Sequence, residues 1–116
     1  MIGTAESYNW AENLGLDAQT FFDISSTASG QCWSMTSYCP VPGPVPSSPA
    51  NNDYKPGFSS ALMLKDLRLS QEAASMTTSS TPLGANATSI YEEIENLGQE
   101  NIDFSGVIKL LQNKLK

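Results

Sequence analysis

In the stretch Gly57-Phe58-Ser59-Ser60-Ala61-Leu62-Met63-Leu64-Lys65-Asp66-Leu67-Arg68-Leu69-Ser70, an ammonium and a carboxylate stand side by side among leucines. Turned at about 100° per residue, Leu62, Met63, Leu67, Leu69, Ala73, Ala74 and Met76 fall on one broad arc, with Asp66 inside it and Lys65 at its edge. A carboxylate left alone in an apolar face costs on the order of several kcal/mol, so Asp66 is expected to meet a partner, a cap or a polar cavity. Periodicity leaves two readings open. One is a buried structural salt bridge or hydrogen bond; the other is a functional polar cavity. Arg68 and Glu72, one turn apart, read as a solvated surface pair. Trp33 and Tyr38 fit a core or a site equally well.

Other chemistries are poorly supplied. Cys32 and Cys39 are the only cysteines and histidine is absent, so neither a Cys/His zinc set nor a Cys-His nucleophile can be assembled. With no second cysteine pair and no leader, two free thiols are expected. The net charge of -6 leaves no basic stripe for a phosphate backbone, and no apolar run approaches the roughly 20 residues that span a bilayer. Neither nucleic acid nor a membrane is therefore an expected partner. Of the six basic residues, Lys109, Lys114 and Lys116 sit where they complement the dipole of a terminal helix. Asn86-Ala87-Thr88 has the pattern of a glycosylation acceptor but falls within a predicted helix.

The elements that must position these residues read as helices. At 116 residues, with 40% hydrophobic and 16% charged residues, the chain is expected to form one all-α domain of five to six helices. The first runs over about 4–14 with Ala5, Tyr8 and Ala11 inward, stopped by Gly15, and its uncapped start suggests the tail of a longer helix. Asp17 caps a second, with Leu16 and Phe21 as a hydrophobic staple and Phe21, Phe22 and Ile24 in the core. A brief third helix ends near Tyr38. Six of the seven prolines lie within 40–56, and an irregular stretch of that length inside a small domain is commonly functional. Ser59 or Ser60 caps a helix reaching about Thr77. Thr81-Pro82 opens another, with Leu83, Ala87, Ile90, Tyr91, Ile94 and Leu97 on its core face and Gly98 closing it. Asp103 caps the last, in which Phe104, Val107, Ile108, Leu111 and Leu115 share a face.

The runs Ser29-Gly30-Gln31-Cys32-Trp33-Ser34, Tyr38-Cys39-Pro40-Val41-Pro42-Gly43, Gly57-Phe58 and Leu62-Met63-Leu64-Lys65-Asp66-Leu67 together resemble the C-terminal domain of the β-hydroxyacid dehydrogenase family. Gly-Phe and Lys-Asp-Leu are shared across that family, including its tartronate semialdehyde and glyoxylate reductases. The Cys-Trp-Ser and Pro-Val-Pro-Gly runs point to its 3-hydroxyisobutyrate branch. The resemblance implies a helical fold like the C-terminal domain of 6-phosphogluconate dehydrogenase, occupying residues 1–116. It implies an N-terminal Rossmann domain that binds NAD, and a catalytic lysine in a Lys-x-x-x-Asn element just upstream of Ile2; neither is in this sequence, so the chain alone is expected to be inactive. It also implies roles for this chain's residues. Lys65 reaches the cofactor, Phe58 lies against the nicotinamide, and Asp66, Trp33 and Tyr38 shape the end that takes a 3-hydroxyisobutyrate-like acid. Self-association is implied, with residence in the mitochondrial matrix of a eukaryote or the cytoplasm of a bacterium. The competing expectation is a helical dimerisation module without catalysis.

Overall fold

Six α-helices and two 3-10 turns, with no β-strand among the described residues, build the chain in the order α1 (Ile2–Asn13), α2 (Ala18–Ser25), α3 (Trp33–Thr36), a turn at Pro49–Asn52, α4 (Ser60–Met76), α5 (Pro82–Asn96), a turn at Phe104–Gly106 and α6 (Val107–Leu111). The computed structural model describes residues 1–115; Lys116, the last of the C-terminal lysines, lies outside the described residues. α4 and α5 pack as an antiparallel hairpin, and α1 packs on α6 and α2. One core joins them through Tyr8, Met35, Leu64, Tyr91, Ile94, Phe104, Val107 and Ile108.

The helix ends follow from local chemistry. Asp17 accepts from the Thr20 amide and Ser59 from that of Leu62, each satisfying an orphan donor of a first turn. Four helices close the same way. After α1, the Leu16 amide reaches Ala11 O and the Gly15 amide reaches Glu12 O; the same pair of bonds recurs around Thr78, Gly98 and Asn113. All four of these residues take positive φ, which glycine tolerates and Thr78 and Asn113 adopt against their Cβ.

Several sequence expectations are corrected. α4 does not bury its broad leucine arc: Ser60 and Leu64 are its fully buried residues, while Leu62, Leu69, Met76 and Asp66 are exposed. The buried stripe is the one that faces α5 and the segment 100–103, so Asp66 needs no buried partner. Arg68 reaches across to α5, at 3.4 Å from Glu92 and 2.9 Å from Glu95, instead of pairing with Glu72. Thr81 precedes proline at the first position of α5, as expected, but its hydroxyl donates to Gln71 Oε1 and caps nothing. Leu83 is 85% exposed and Leu97 is also exposed, because α5 meets the core only through its middle. Ile24 points to solvent at the end of α2. Lys109 does lie in the last turn of α6, yet its ammonium is spent on Asp53 (3.1 Å) and the face of Tyr54 (4.6 Å); Lys114 lies beyond the helix.

The proline-rich stretch is ordered by contacts of its own. Cys39, Val41, Val45, Ala50 and Tyr54 are buried, and Asn51 braces it by accepting from the Gly43 amide and donating to Val45 O. Asp53 and Tyr54 both sit in left-handed backbone, φ 47° and 54°. That costs about 1–2 kcal/mol per residue. It aims Tyr54 Oη at Pro40 O (2.7 Å) while the Tyr54 carbonyl accepts the Asp103 amide (2.9 Å). The loop is thereby tied at both ends to the region of the candidate site. Both cysteines are free thiols.

Candidate functional site

Three of the five candidate residues come together as a row of rings. Trp33 is stacked on Tyr38 (centroids 4.9 Å apart, planes at 19°), Tyr38 on Phe104 (5.1 Å, 27°), and Phe58 meets Phe104 edge-on (5.9 Å, 84°). Each such pair is worth about 0.5–1.5 kcal/mol beyond its burial. The outer member is the notable one. Trp33 stays 58% exposed, so it is no core aromatic, and its free face closes one end of the row. Trp33 also stands on the wall of an apolar cavity of 480 Å3 that runs between Ile2, Met63, Leu67 and Tyr91. A second cavity, 450 Å3 between α1, α2 and Val41, holds none of the five.

Asp103 is the residue that sequence reasoning undervalued. It caps the 3-10 turn Phe104–Gly106 and not α6 itself, whose N-cap is Gly106, and its fully buried carboxylate does more. Oδ1 accepts from Tyr38 Oη (2.7 Å), the Gly57 amide (3.0 Å) and the Phe58 amide (3.1 Å). Oδ2 accepts from the Ser105 amide (2.9 Å) and Ser105 Oγ (2.5 Å). No Lys or Arg of the described residues pairs with it; dipoles alone stabilise the site. The backbone reinforces the junction, since the Phe104 amide donates to Phe58 O and the Ser60 amide to Ile102 O, both at 2.8 Å. The only sequence signal for all this was a polar residue ahead of an apolar run.

Gly57 has a physical reason in the same place. A methyl group built there would lie 2.8 Å from Tyr38 Oη and 3.8 Å from Asp103 Oδ1, so the phenol reaches its carboxylate only over a bare Cα. Burial first, and the hydrogen bond to Asp103 second, hold the Tyr38 hydroxyl well above its ordinary pKa, so it remains a neutral phenol.

Lys65 and Asp66 are not tied into this row. Both are exposed on α4, about 8 Å along its axis from the first turn that follows Phe58. Among the described residues neither makes an ion pair, whereas Arg68 one turn away is neutralised by two glutamates. The structure thus presents a flat aromatic face, an unpaired ammonium and an unpaired carboxylate on elements that share one anchoring junction. Such groups can receive a planar ring and a small anion. No helix among the described residues is long and apolar enough to cross a membrane.

Comparison with known proteins gives the arrangement its relatives. Residues 1–111 match the family described as NAD-binding of NADP-dependent 3-hydroxyisobutyrate dehydrogenase. A probable 3-hydroxyisobutyrate dehydrogenase of Mycobacterium tuberculosis is 50% identical over 111 residues, which are 96% of this chain and 37% of that protein. The mitochondrial 3-hydroxyisobutyrate dehydrogenase of Drosophila melanogaster is 45% identical, over 98% of this chain and 35% of its own length. The solved Mycobacterium tuberculosis 3-hydroxyisobutyrate dehydrogenase with L-serine superposes with a TM-score of 0.92 at 50% identity, over 96% of this chain and 38% of that one. A Salmonella typhimurium structure named 3-hydroxyisobutyrate dehydrogenase shares the fold, with a TM-score of 0.80 at 24% identity, over 94% of this chain and 36% of its own. Spanning 37% of the length of the first of these relatives, the chain belongs to the 3-hydroxyisobutyrate dehydrogenase family.

Proposed function

We propose that residues 1–116 act as the C-terminal helical domain of an NAD-dependent 3-hydroxyisobutyrate dehydrogenase, which oxidises 3-hydroxyisobutyrate to methylmalonate semialdehyde in valine breakdown. The arrangement of its helices would be that of the 6-phosphogluconate dehydrogenase C-terminal domain. In this reading a Rossmann domain outside this sequence holds most of the NAD and carries the catalytic lysine, and the chain alone turns over nothing. The observation that carries it is Lys65: an exposed ammonium without an ion-pair partner among the described residues, on the helix that begins just after Phe58.

The donor set fits the group. NAD, when bound, takes the hydride from the alcohol carbon. This chain's part is to bind and orient. Phe58 offers an apolar flank to a nicotinamide ring, Lys65 donates to the cofactor by charge-assisted hydrogen bonds, and Asp66, Trp33 and Tyr38 bound the acid. The solved relative contains L-serine, which like 3-hydroxyisobutyrate is a carboxylate with a hydroxyl on its third carbon. A small 3-hydroxy acid is the substrate class of this reading, which that ligand supports. Self-association belongs to the same reading, through apolar side chains such as Trp10 and Leu14 that the fold leaves exposed. So does a mitochondrial or bacterial cytoplasmic setting, the Drosophila and human relatives being named mitochondrial.

Replacing the matching segment of the Mycobacterium tuberculosis relative by this chain should leave a working, NAD-linked dehydrogenase. Lys65→Ala in that hybrid is expected to lower kcat/KM by roughly tenfold to hundredfold, the loss of one charge-assisted bond of about 1.5–3 kcal/mol, with the fold retained. Arg68→Ala, already neutralised on α5, is the control and should change little. Equal kcat/KM for both variants and the parent hybrid would return Lys65 to the solvated surface.

A further inference from the structure

Asp103 lies 65 residues from Tyr38 and 46 from Gly57 in sequence, yet one of its oxygens receives donors from both. We propose that Asp103 is the positioning residue of the ligand site, acting through the Tyr38 ring to fix the exposed face of Trp33 and through two backbone amides to fix Phe58. The inference rests on the function proposed above for what it says of ligand, and on geometry alone for what it says of the rings.

The two carboxylate oxygens divide the work. Among the described residues Oδ2 is engaged only by Ser105, two residues on, and serves the local turn. Oδ1 serves the site, gathering Tyr38 from the α3 arm and Gly57 and Phe58 from the arm that leads into α4. Because the Tyr38 hydroxyl donates to that carboxylate, it is committed inward and the residue contributes a platform in place of an acid or base. Tyr38 is stacked on both sides, so its tilt is transmitted to Trp33, whose other face is open. Gly57 sets the clearance: only without a side chain there does Tyr38 Oη approach Oδ1. The aromatic end and the Phe58 end of the site thus move as one body.

The separation of the oxygens makes the proposal testable on the full chain. Trp10, the other tryptophan, is exposed and is replaced by phenylalanine, leaving Trp33 as the only indole reporter. Tyr38→Phe, which removes only the hydroxyl, should shift Trp33 emission to the red and increase its quenching by acrylamide while far-ultraviolet circular dichroism stays unchanged. Gly57→Ala, which keeps the hydroxyl but displaces it, should reproduce that signature. Ser105→Ala, which removes one of the two donors to Oδ2 and lowers the melting temperature, should leave Trp33 emission and quenching as in the parent. A Trp33 signal unmoved by Tyr38→Phe, or moved as much by Ser105→Ala, overturns the proposal. The readout needs no ligand, so a failure of the proposed function would show in the hybrid enzyme and not here.

Discussion

Asp103→Ala is expected to unfold the chain or leave it only marginally folded at 25 °C. The substitution leaves the Tyr38 hydroxyl, the Gly57, Phe58 and Ser105 amides and the Ser105 hydroxyl facing a small apolar gap where a carboxylate had accepted from each. An unsatisfied buried donor costs about 1–3 kcal/mol. Even if water enters and recovers half of these five bonds, the loss is about 2.5–7.5 kcal/mol, against a total stability of about 5–15 kcal/mol for a domain. Urea titration of the variant and the parent, followed by far-ultraviolet circular dichroism, measures it. A midpoint within experimental error of the parent would show that the junction carries little of the stability.

The second large effect is alkaline unfolding, because all four tyrosines titrate above their ordinary range. Burial is the leading cause in each. The Cys39 thiol adds to it at Tyr8 and Tyr54, and the Asp103 carboxylate adds at Tyr38 and Tyr91. Tyr54, donating to Pro40 O, is pushed up to about 12. An unfolded tyrosine ionises near pH 10, so between that value and its folded pKa the folded state holds the extra proton. The stability these groups provide is complete below pH 10 and falls as pH rises above it. Tyr54 alone accounts for about 2–3 kcal/mol of that fall by pH 12, at about 1.4 kcal/mol per unit. Tyrosinate absorbance should therefore appear in step with loss of helical circular dichroism, in one transition above pH 10. Free titration of a tyrosine near pH 10 with the helices intact would contradict the burial described for it.

How far the fold was legible depended on whether the deciding interactions were local. α1, α2 and α5 could be read because their ends are written within a few residues of one another: Gly15 and Gly98 adopt the left-handed closures, and Asp17 caps its own helix. α4 could not be read in the same way. Leu62, Leu69 and Met76 recur every seven residues and mimic a core stripe, but which face is buried was decided by α5 and by the segment 100–103. The partners of Arg68 are 24 and 27 residues away, so its nearer neighbour Glu72 was a natural but mistaken choice. The candidate site shows the same divide. Trp33, Tyr38, Phe58, Lys65 and Asp66 were legible as motifs, through resemblance. The anchor that Tyr38 and Phe58 share at Asp103 was not, because a single aspartate ahead of an apolar run looks the same whether it caps a turn or joins two distant segments.

In the proposed function Trp33, Tyr38, Phe58, Lys65 and Asp66 all meet the bound ligands. Amide and indole chemical-shift mapping by NMR of the hybrid enzyme, isotope-labelled in the segment contributed by this chain and titrated with 3-hydroxyisobutyrate and NADH together, measures whether they do. Shifts are expected to concentrate at the Trp33 indole, Tyr38, Phe58, Lys65 and Asp66, to weaken in Lys65→Ala and to be absent around the cavity between α1 and α2. Shifts gathered in that second cavity, or a response identical in the Lys65→Ala variant, would contradict that reading.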